Sequence, residues 1–409
     1  MKVSIGYAEE PYDQNELTSD FFPNKVGGKP AWLDQSSIPK REELKCSKCS
    51  KQLSFLLQIN APIDGKDHCY HRTIHLFCCL SNECKNFVAI RTQLPQVNEI
   101  YPVDADERKY EQDYKIEKQY YEKRQKQCEY CGLFAAAHCA GCNKVSYCCK
   151  EHQTIDWDLG HREQCKILKQ QEDGAQVELP AKRKSEFHFK EYEILNEDSD
   201  VVAKPTNTVD PNYHNENDDD DVEDDDDEED QDSEANQKIL EELMLKEDTG
   251  APAAGSSNEV STTSDATEQL NEFVEESGLD GELIDDNKFM NFKDQEFLYF
   301  KRVIAQDKNQ ILRYSRDNEY PILWVSEENK VTDEEIGKCP CCNGDRRFEF
   351  QVLPQLLYFI LDESTSTEVN NNELDFGILN IYTCENSCEY KSNQLNYVKE
   401  FIFKQDFTK

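Results

Sequence analysis

Eighteen cysteines in a chain of 409 residues are the groups here best suited to chemistry, and their spacing says which chemistry. Between positions 128 and 165 stand Cys128-x2-Cys131, Cys139-x2-Cys142, Cys148-x3-His152 and His161-x3-Cys165. Eight thiol or imidazole groups within 38 residues suffice for two tetrahedral zinc sites. So short a segment buries little core of its own, so metal binding would supply its folding free energy, roughly 10–16 kcal/mol per structural zinc. A site with four protein ligands is closed and serves as a scaffold, not as a Lewis acid. A redox or disulfide cluster is the alternative. Residues 1–11 carry no secretory leader, so reduced thiols holding metal in the cytosol or nucleus are expected.

Two further cysteine sets flank this segment. Cys46-x2-Cys49 precedes the strand-like run Leu53-Ser54-Phe55-Leu56-Leu57-Gln58-Ile59, and His75-Leu76-Phe77-Cys78-Cys79 leads to Cys84. Cysteine knuckles on neighbouring strands make a zinc ribbon, so Cys46, Cys49, Cys79 and Cys84 are candidate ligands. Cys78 competes with Cys79, because successive strand residues face opposite sides. Simple burial of either thiol in a core is the plainer alternative. Near the other end, Cys339, Cys342, Cys384 and Cys388 make a comparable set, with Cys341 an alternative to either neighbour. The central segment would take two Zn2+ and the outer sets up to two more.

The central spacing, with its Tyr147-Cys148 dipeptide and closing HxxxC, resembles the MYND zinc finger. That resemblance implies interleaved ligation: Cys128, Cys131, Cys148 and His152 on one zinc, and Cys139, Cys142, His161 and Cys165 on the other. Cys149 is then a spare thiol. It also implies a groove for proline-rich peptides or transcription cofactors, which Tyr147, Gln153 and Trp157 could line.

The elements that must hold these sites read as α+β, mainly β. Residues 1–103 form a β-rich half, beginning with the alternating run Val3-Ser4-Ile5-Gly6-Tyr7. Gly27-Gly28-Lys29-Pro30 reads as a turn that Trp32 and Leu33 anchor onto a sheet. It lacks the context of a phosphate loop. Residues 104–127, rich in Glu, Lys, Gln and Tyr, read as a charged, solvent-exposed helix leading into the finger at 128–165. A linker and a strand follow at 166–195, the strand carried by Phe187, Phe189, Tyr192 and Ile194. Lys182-Arg183-Lys184 reads as a surface patch or a nuclear-import signal.

The net charge of -38 is concentrated in one place. From Glu191 to Met290 there are 35 acidic and 4 basic residues, a net of -31, against -7 for the remaining 309. Residues 196–287 therefore read as a disordered acidic insert that attracts basic proteins and repels nucleic acid. Residues 288–409 form a second β-rich half. It opens with a helix bearing Phe289, Phe292, Phe297, Phe300 and Ile304, then short strands at Ile311–Tyr314 and Ile322–Val325. No apolar run approaches the ~20 residues of a membrane span, so no membrane is expected.

The halves resemble each other. Cys49-x5-Phe55-Leu56-Leu57-Gln58 has the spacing of Cys342-x5-Phe348-Glu349-Phe350-Gln351, and each is followed by a strand running into cysteines. Duplicated zinc-ribbon-like halves are expected, with finger and acidic insert placed between them. The runs from Lys25 to Leu33 and from Phe348 to Gln355, Tyr382-Thr383-Cys384 and the ending from Glu400 to Asp406 resemble the programmed cell death protein 2 family, in its finger-bearing form. Cys339-Pro340-Cys341-Cys342 departs from that pattern by one cysteine.

The resemblance implies a non-enzymatic chaperone. It would capture a basic small-subunit ribosomal protein, support 40S assembly, and reside in cytoplasm and nucleus, with transcription cofactors at the finger. From the residues themselves, no GxG element, Ser/His/Asp set or open metal constellation points to an enzyme. The expectation is that the flanking halves hold the client while the finger, as an inserted module, recruits partners.

Overall fold

The computed structural model describes residues 1–81, 84–109, 115–170, 178–185, 187–204, 294–361, 374–389 and 396–407. Its strands are, in chain order, β1 (Lys2–Glu9), β2 (Lys25–Val26), β3 (Ser54–Asn60), β4 (His71–Cys78), β5 (Phe87–Leu94), β6 (Ala137–His138), β7 (Ser146–Tyr147), β8 (Tyr192–Asp200), β9 (Gln310–Tyr314), β10 (Arg346–Val352), β11 (Ile378–Cys384) and β12 (Val398–Gln405). All but β6 and β7, which pair with each other, close into one barrel in the order β1-β8-β2-β3-β4-β5-β12-β11-β10-β9. The two β-rich halves are thus parts of a single closed sheet, joined at β5–β12 and through β8, β1 and β9.

Strands β3, β4, β5 and β11 are buried along nearly their whole length because both faces are covered. One face supplies a core of Val26, Leu57, Leu76, Cys78, Ala89, Ile311, Phe350 and Ile381, which fills the barrel. The other face of β3–β5 supplies Phe55, Phe77 and Ile90 to a second cluster, shared with the cysteine sites described below.

Each cysteine-bearing hairpin carries a bulge at the same place. In β3–β4 the register passes from Phe55↔Phe77 to Leu57↔Leu76, leaving Leu56 extra, and in β10–β11 it passes from Phe348↔Tyr382 to Phe350↔Ile381, leaving Glu349 extra. A bulge re-aims its side chain. Leu56 turns into the apolar core, whereas Glu349 turns to Arg72 of β4, whose guanidinium grips it at 2.5 and 2.8 Å. Arg316 at 2.6 Å, Tyr314 at 3.0 Å and Thr383 complete five donors around that carboxylate. Burial alone would raise the Glu349 carboxyl, but Arg72 and Arg316 pull it down to about 2. A second fully buried pair, Arg91 of β5 with Glu400 of β12 at 2.7 Å, sits on the β5–β12 seam. Both pairs join the N-terminal to the C-terminal half.

Helices are short: α1 (Ala105–Arg108), α2 (Lys118–Tyr121), α3 (Lys150–Asp156), α4 (Arg162–Gln170), α5 (Gln295–Gln306), α6 (Asp333–Ile336) and α7 (Leu356–Ile360). None of the described helices is long and apolar enough to cross a membrane. The helix expected over 104–127 is, among the described residues, only the single turns α1 and α2. A segment charged on all sides has no stripe to bury, and its apolar residues dock separately, with Ala105 and Ile116 packed beside Phe22, Leu33 and Tyr101.

The strand expected to end at 195 begins at Tyr192 and runs on to Asp200, because β1 pairs every residue from Glu193 to Asp200. The rest of the acidic insert, 205–287, lies outside the described residues, as do Phe289 and Phe292. Residues 322–325 are not a strand. Leu323 and Val325 are buried from a loop, where the Gln405 side chain accepts the Val325 N–H at 2.9 Å. That loop forms a separate compact unit with α5, whose N-cap Asp294 accepts from Phe297 N–H and Ser326 Oγ.

Candidate metal centres

All four CxxC pairs fold into one local shape. The N–H of the residue after the second cysteine donates to the carbonyl of the first: Ser50 to Cys46, Gly132 to Cys128, Asn143 to Cys139 and Asn343 to Cys339, at 2.8–2.9 Å. That residue takes a positive φ of 58–74° in each case. The N–H of each first cysteine, in turn, donates to a carbonyl just beyond the pair: Lys51, Leu133, Val145 or Gly344. Such a tight knuckle aims both sulfurs inward. It also settles the alternatives around Cys341: the knuckle is built on Cys339 and Cys342.

The expected ligands come together in four sets: Cys46, Cys49, Cys79 and Cys84; Cys128, Cys131, Cys148 and His152; Cys139, Cys142, His161 and Cys165; and Cys339, Cys342, Cys384 and Cys388. Within each set all donor atoms lie within 4.8 Å of one another. Sulfurs around a tetrahedral zinc, each at ~2.3 Å, are ~3.8 Å apart. The separations match: Cys49–Cys79 3.5 Å, Cys131–Cys148 3.7 Å, Cys139–Cys165 3.7 Å, Cys339–Cys388 3.7 Å and Cys342–Cys384 3.5 Å. His152 offers Nδ1 and His161 offers Nε2, so the donor sets suit zinc. None of the eighteen cysteines is joined in a disulfide.

Strand phase decides between Cys78 and Cys79. Cys79 Sγ joins Cys49, while Cys78 is fully buried in the barrel core, where burial pushes its thiol up beyond the usual range. Cys149 is outside both finger sets and caps α3, its sulfur accepting the His152 N–H at 3.5 Å. It therefore positions the ligand helix.

Around the finger, Tyr147 OH donates to Asp156 Oδ2 at 2.7 Å, and Lys182 donates to Asp156 at 2.7 Å and Glu129 at 2.9 Å. Burial would lower the Lys182 ammonium, yet these carboxylates raise it. Arg183 bonds the Asp158 carbonyl. Lys182 and Arg183 of the basic cluster thus dock on the finger. Tyr147 is 1% exposed and cannot line a peptide groove, whereas Gln153 and Trp157 are half-buried.

The finger is not a detachable insert. Trp32, expected to anchor its own turn, also donates from Nε1 to the Gly132 carbonyl at 2.7 Å. Phe134 N–H donates to Pro39 O, and Arg41 meets Glu151 at 2.7 Å. Trp32, Phe55, Phe77, the first outer cysteine set and the finger cysteines share one apolar cluster. Spacing did not reveal this weld, nor the Arg72–Glu349 and Arg91–Glu400 pairs. A charge inside an apolar strand run, as in Phe348-Glu349-Phe350, was the available signal.

Every set supplies four protein ligands, which suits structural metal with no open position for a reacting water. Three family models match this chain: the programmed cell death protein 2 N-terminal domain over residues 2–108, its C-terminal domain over 294–406, and the MYND finger over 128–165. Programmed cell death protein 2 of Rattus norvegicus is 33% identical over 409 residues, covering 99% of this chain and 97% of the relative. The protein of that name from Mus musculus is 32% identical at the same coverage. A human programmed cell death protein 2-like protein is 35% identical over 113 residues, 28% of this chain and 29% of its own. No solved structure matches. The MYND finger binds zinc, and the outer sets have the donors to hold two ions more.

Proposed function

Because this chain belongs to the programmed cell death protein 2 family, we propose that it is a non-enzymatic, zinc-organised chaperone. It captures a basic small-subunit ribosomal protein and supports 40S assembly, working in cytoplasm and nucleus. The observation that carries this reading is charge segregation: a net of -31 over 100 residues beside a near-neutral remainder. A free ribosomal protein exposes cationic surface meant for RNA, so a polyanionic stretch keeps it soluble and speeds encounter. An acidic run attracts any cation, so selectivity falls to the barrel. The matching hairpin bulges and CxxC spacings support reading that barrel as two copies of one unit.

A transcription adaptor working through the finger is the second reading, favoured by Trp157, whose ring carries Arg162 at 6.0 Å and stays half-exposed. Affinity capture from lysate at moderate salt, with identification of the bound proteins, separates the two. The chaperone reading expects a small-subunit ribosomal protein as the main partner, and a lowered 40S:60S ratio on depletion. Capture of transcription cofactors alone, with the ratio unchanged, would overturn it.

A further inference from the structure

Strand β8 is paired along one edge and, among the described residues, open along much of the other. Toward β1 it is paired from Glu193 to Asp200. On its other side, β2 covers only Tyr192 and Glu193. Asn24 makes the last stitch: its carbonyl accepts the Ile194 N–H at 2.9 Å, and its Oδ1 accepts the Asn60 N–H of β3 at 2.6 Å. From Leu195 onward, β8 has no strand on that side among the described residues. A groove of about 430 Å3 adjoins it, lined by Asn196 and Asp198 of β8 and by Asn60 and Ala61, and also by Ser4 of β1 and Leu312 of β9.

The direction of the Ile194 N–H fixes the phase of the open edge. Asn196, Asp198 and Asp200 turn their N–H and C=O outward, while Leu195, Glu197 and Ser199 turn theirs to β1. Unpaired edges of this length invite a further strand. Charge selects which strand. Glu197 and Asp198 are exposed, Asp200 is matched by Lys2 at 2.9 Å, and the other nearby cation, Arg316, is engaged with Glu349 at 2.6 Å, so the edge keeps an acidic excess. A second copy would set acid against acid, and so would this chain's own acidic stretch.

We propose that the open edge of β8 from Leu195 to Asp200 is a docking site at which a basic extended segment of the client adds as a strand. The identity of that client rests on the chaperone reading; the chemistry of the edge does not.

The test uses the full chain and two probes: a ten-residue peptide alternating Lys and Thr, and the ribosomal protein recovered by affinity capture. Asp198→Pro removes an outward N–H while sparing the β1 pairing, and Asp198→Ser removes the same charge alone. The expected result is protection of the Asn196 and Asp198 amides from hydrogen exchange on binding. Asp198→Pro should weaken binding about tenfold or more, and Asp198→Ser about threefold or less. Amide protection in the unaltered chain keeps the question open to refutation even if Asp198→Pro misfolds. A captured ribosomal protein that binds both variants equally and leaves these amides unprotected overturns the docking site and spares the chaperone reading. Peptide protection at β8 with no ribosomal protein captured does the reverse. An acidic edge that only prevents aggregation would bind neither probe, and that result also sinks the proposal.

Discussion

At the scale of single side chains, polar and charged groups are buried in this barrel alongside its apolar core. His71 and His75 lie inside the protein, His75 tilted against Trp32 at 4.8 Å and His71 stacked on Phe22 at 4.6 Å. Burial pulls their imidazoles down from 6.5 to about 4 and about 3. Both stay neutral in the folded chain, while the unfolded chain takes up protons below pH 6.5. Stability is therefore full above that value and falls as pH drops toward the folded pKa values. One pH unit below the ordinary pKa, each histidine should cost about 1.4 kcal/mol. Thermal melts between about pH 7.5 and 5.5 should show the decline, and His75→Gln should flatten it. An unchanged slope in that variant would count against the neutral histidine. The Arg72–Glu349 pair works differently, since five donors leave its carboxylate no reason to protonate near neutral pH.

Local elements are fixed by short-range geometry wherever the chain leaves no choice. Gly27 shows this most plainly. Its φ is +68°, its N–H is bonded to the Leu56 carbonyl, and a Cβ there would stand 2.0 Å from the Lys190 carbonyl oxygen. Gly65 has a similar φ of +74° but open space around it. Gly27→Ala should therefore destabilise by more than ~2 kcal/mol, and Gly65→Ala by only ~1 kcal/mol, read as denaturant midpoints. Equal costs would mean that the β2 turn can move away from Lys190. The four CxxC knuckles belong to the same scale. Ser50 and Asn143 adopt positive φ as Gly132 does, because the paired sulfurs and the returning carbonyl demand it.

At the scale of the whole molecule, metal sites and barrel support one another. Glu400 accepts Arg91 and Arg346 and also the Cys384 N–H at 3.2 Å, so the last cysteine set is tied to the seam that joins the halves. Elemental analysis of the purified chain should find four zinc ions. Cys79→Ala should lose one, while Cys78→Ala should keep all four and lose only packing. Two zinc ions in the unaltered chain would restrict metal to the finger.

The sequence alone marked the candidate ligands, because CxxC spacing is a local constraint that metal geometry reads directly, while the interleaving within the finger came from its resemblance to the MYND family and Cys78 and Cys341 stayed open as alternatives. It also marked β1, β3, β4, β9 and β11 through apolar runs, and placed the acidic charge. Only the tertiary structure decided between Cys78 and Cys79, closed the two halves into one barrel, and welded the finger to it through Trp32 and Gly132. Those outcomes rest on contacts between residues far apart in the chain, such as Arg72 with Glu349, and no local spacing encodes which distant partner a buried charge will find. The over-read helix at 104–127 and the under-read strand β8 have that same cause. Propensity favoured one and composition disfavoured the other, and in each case the packing partner overrode it.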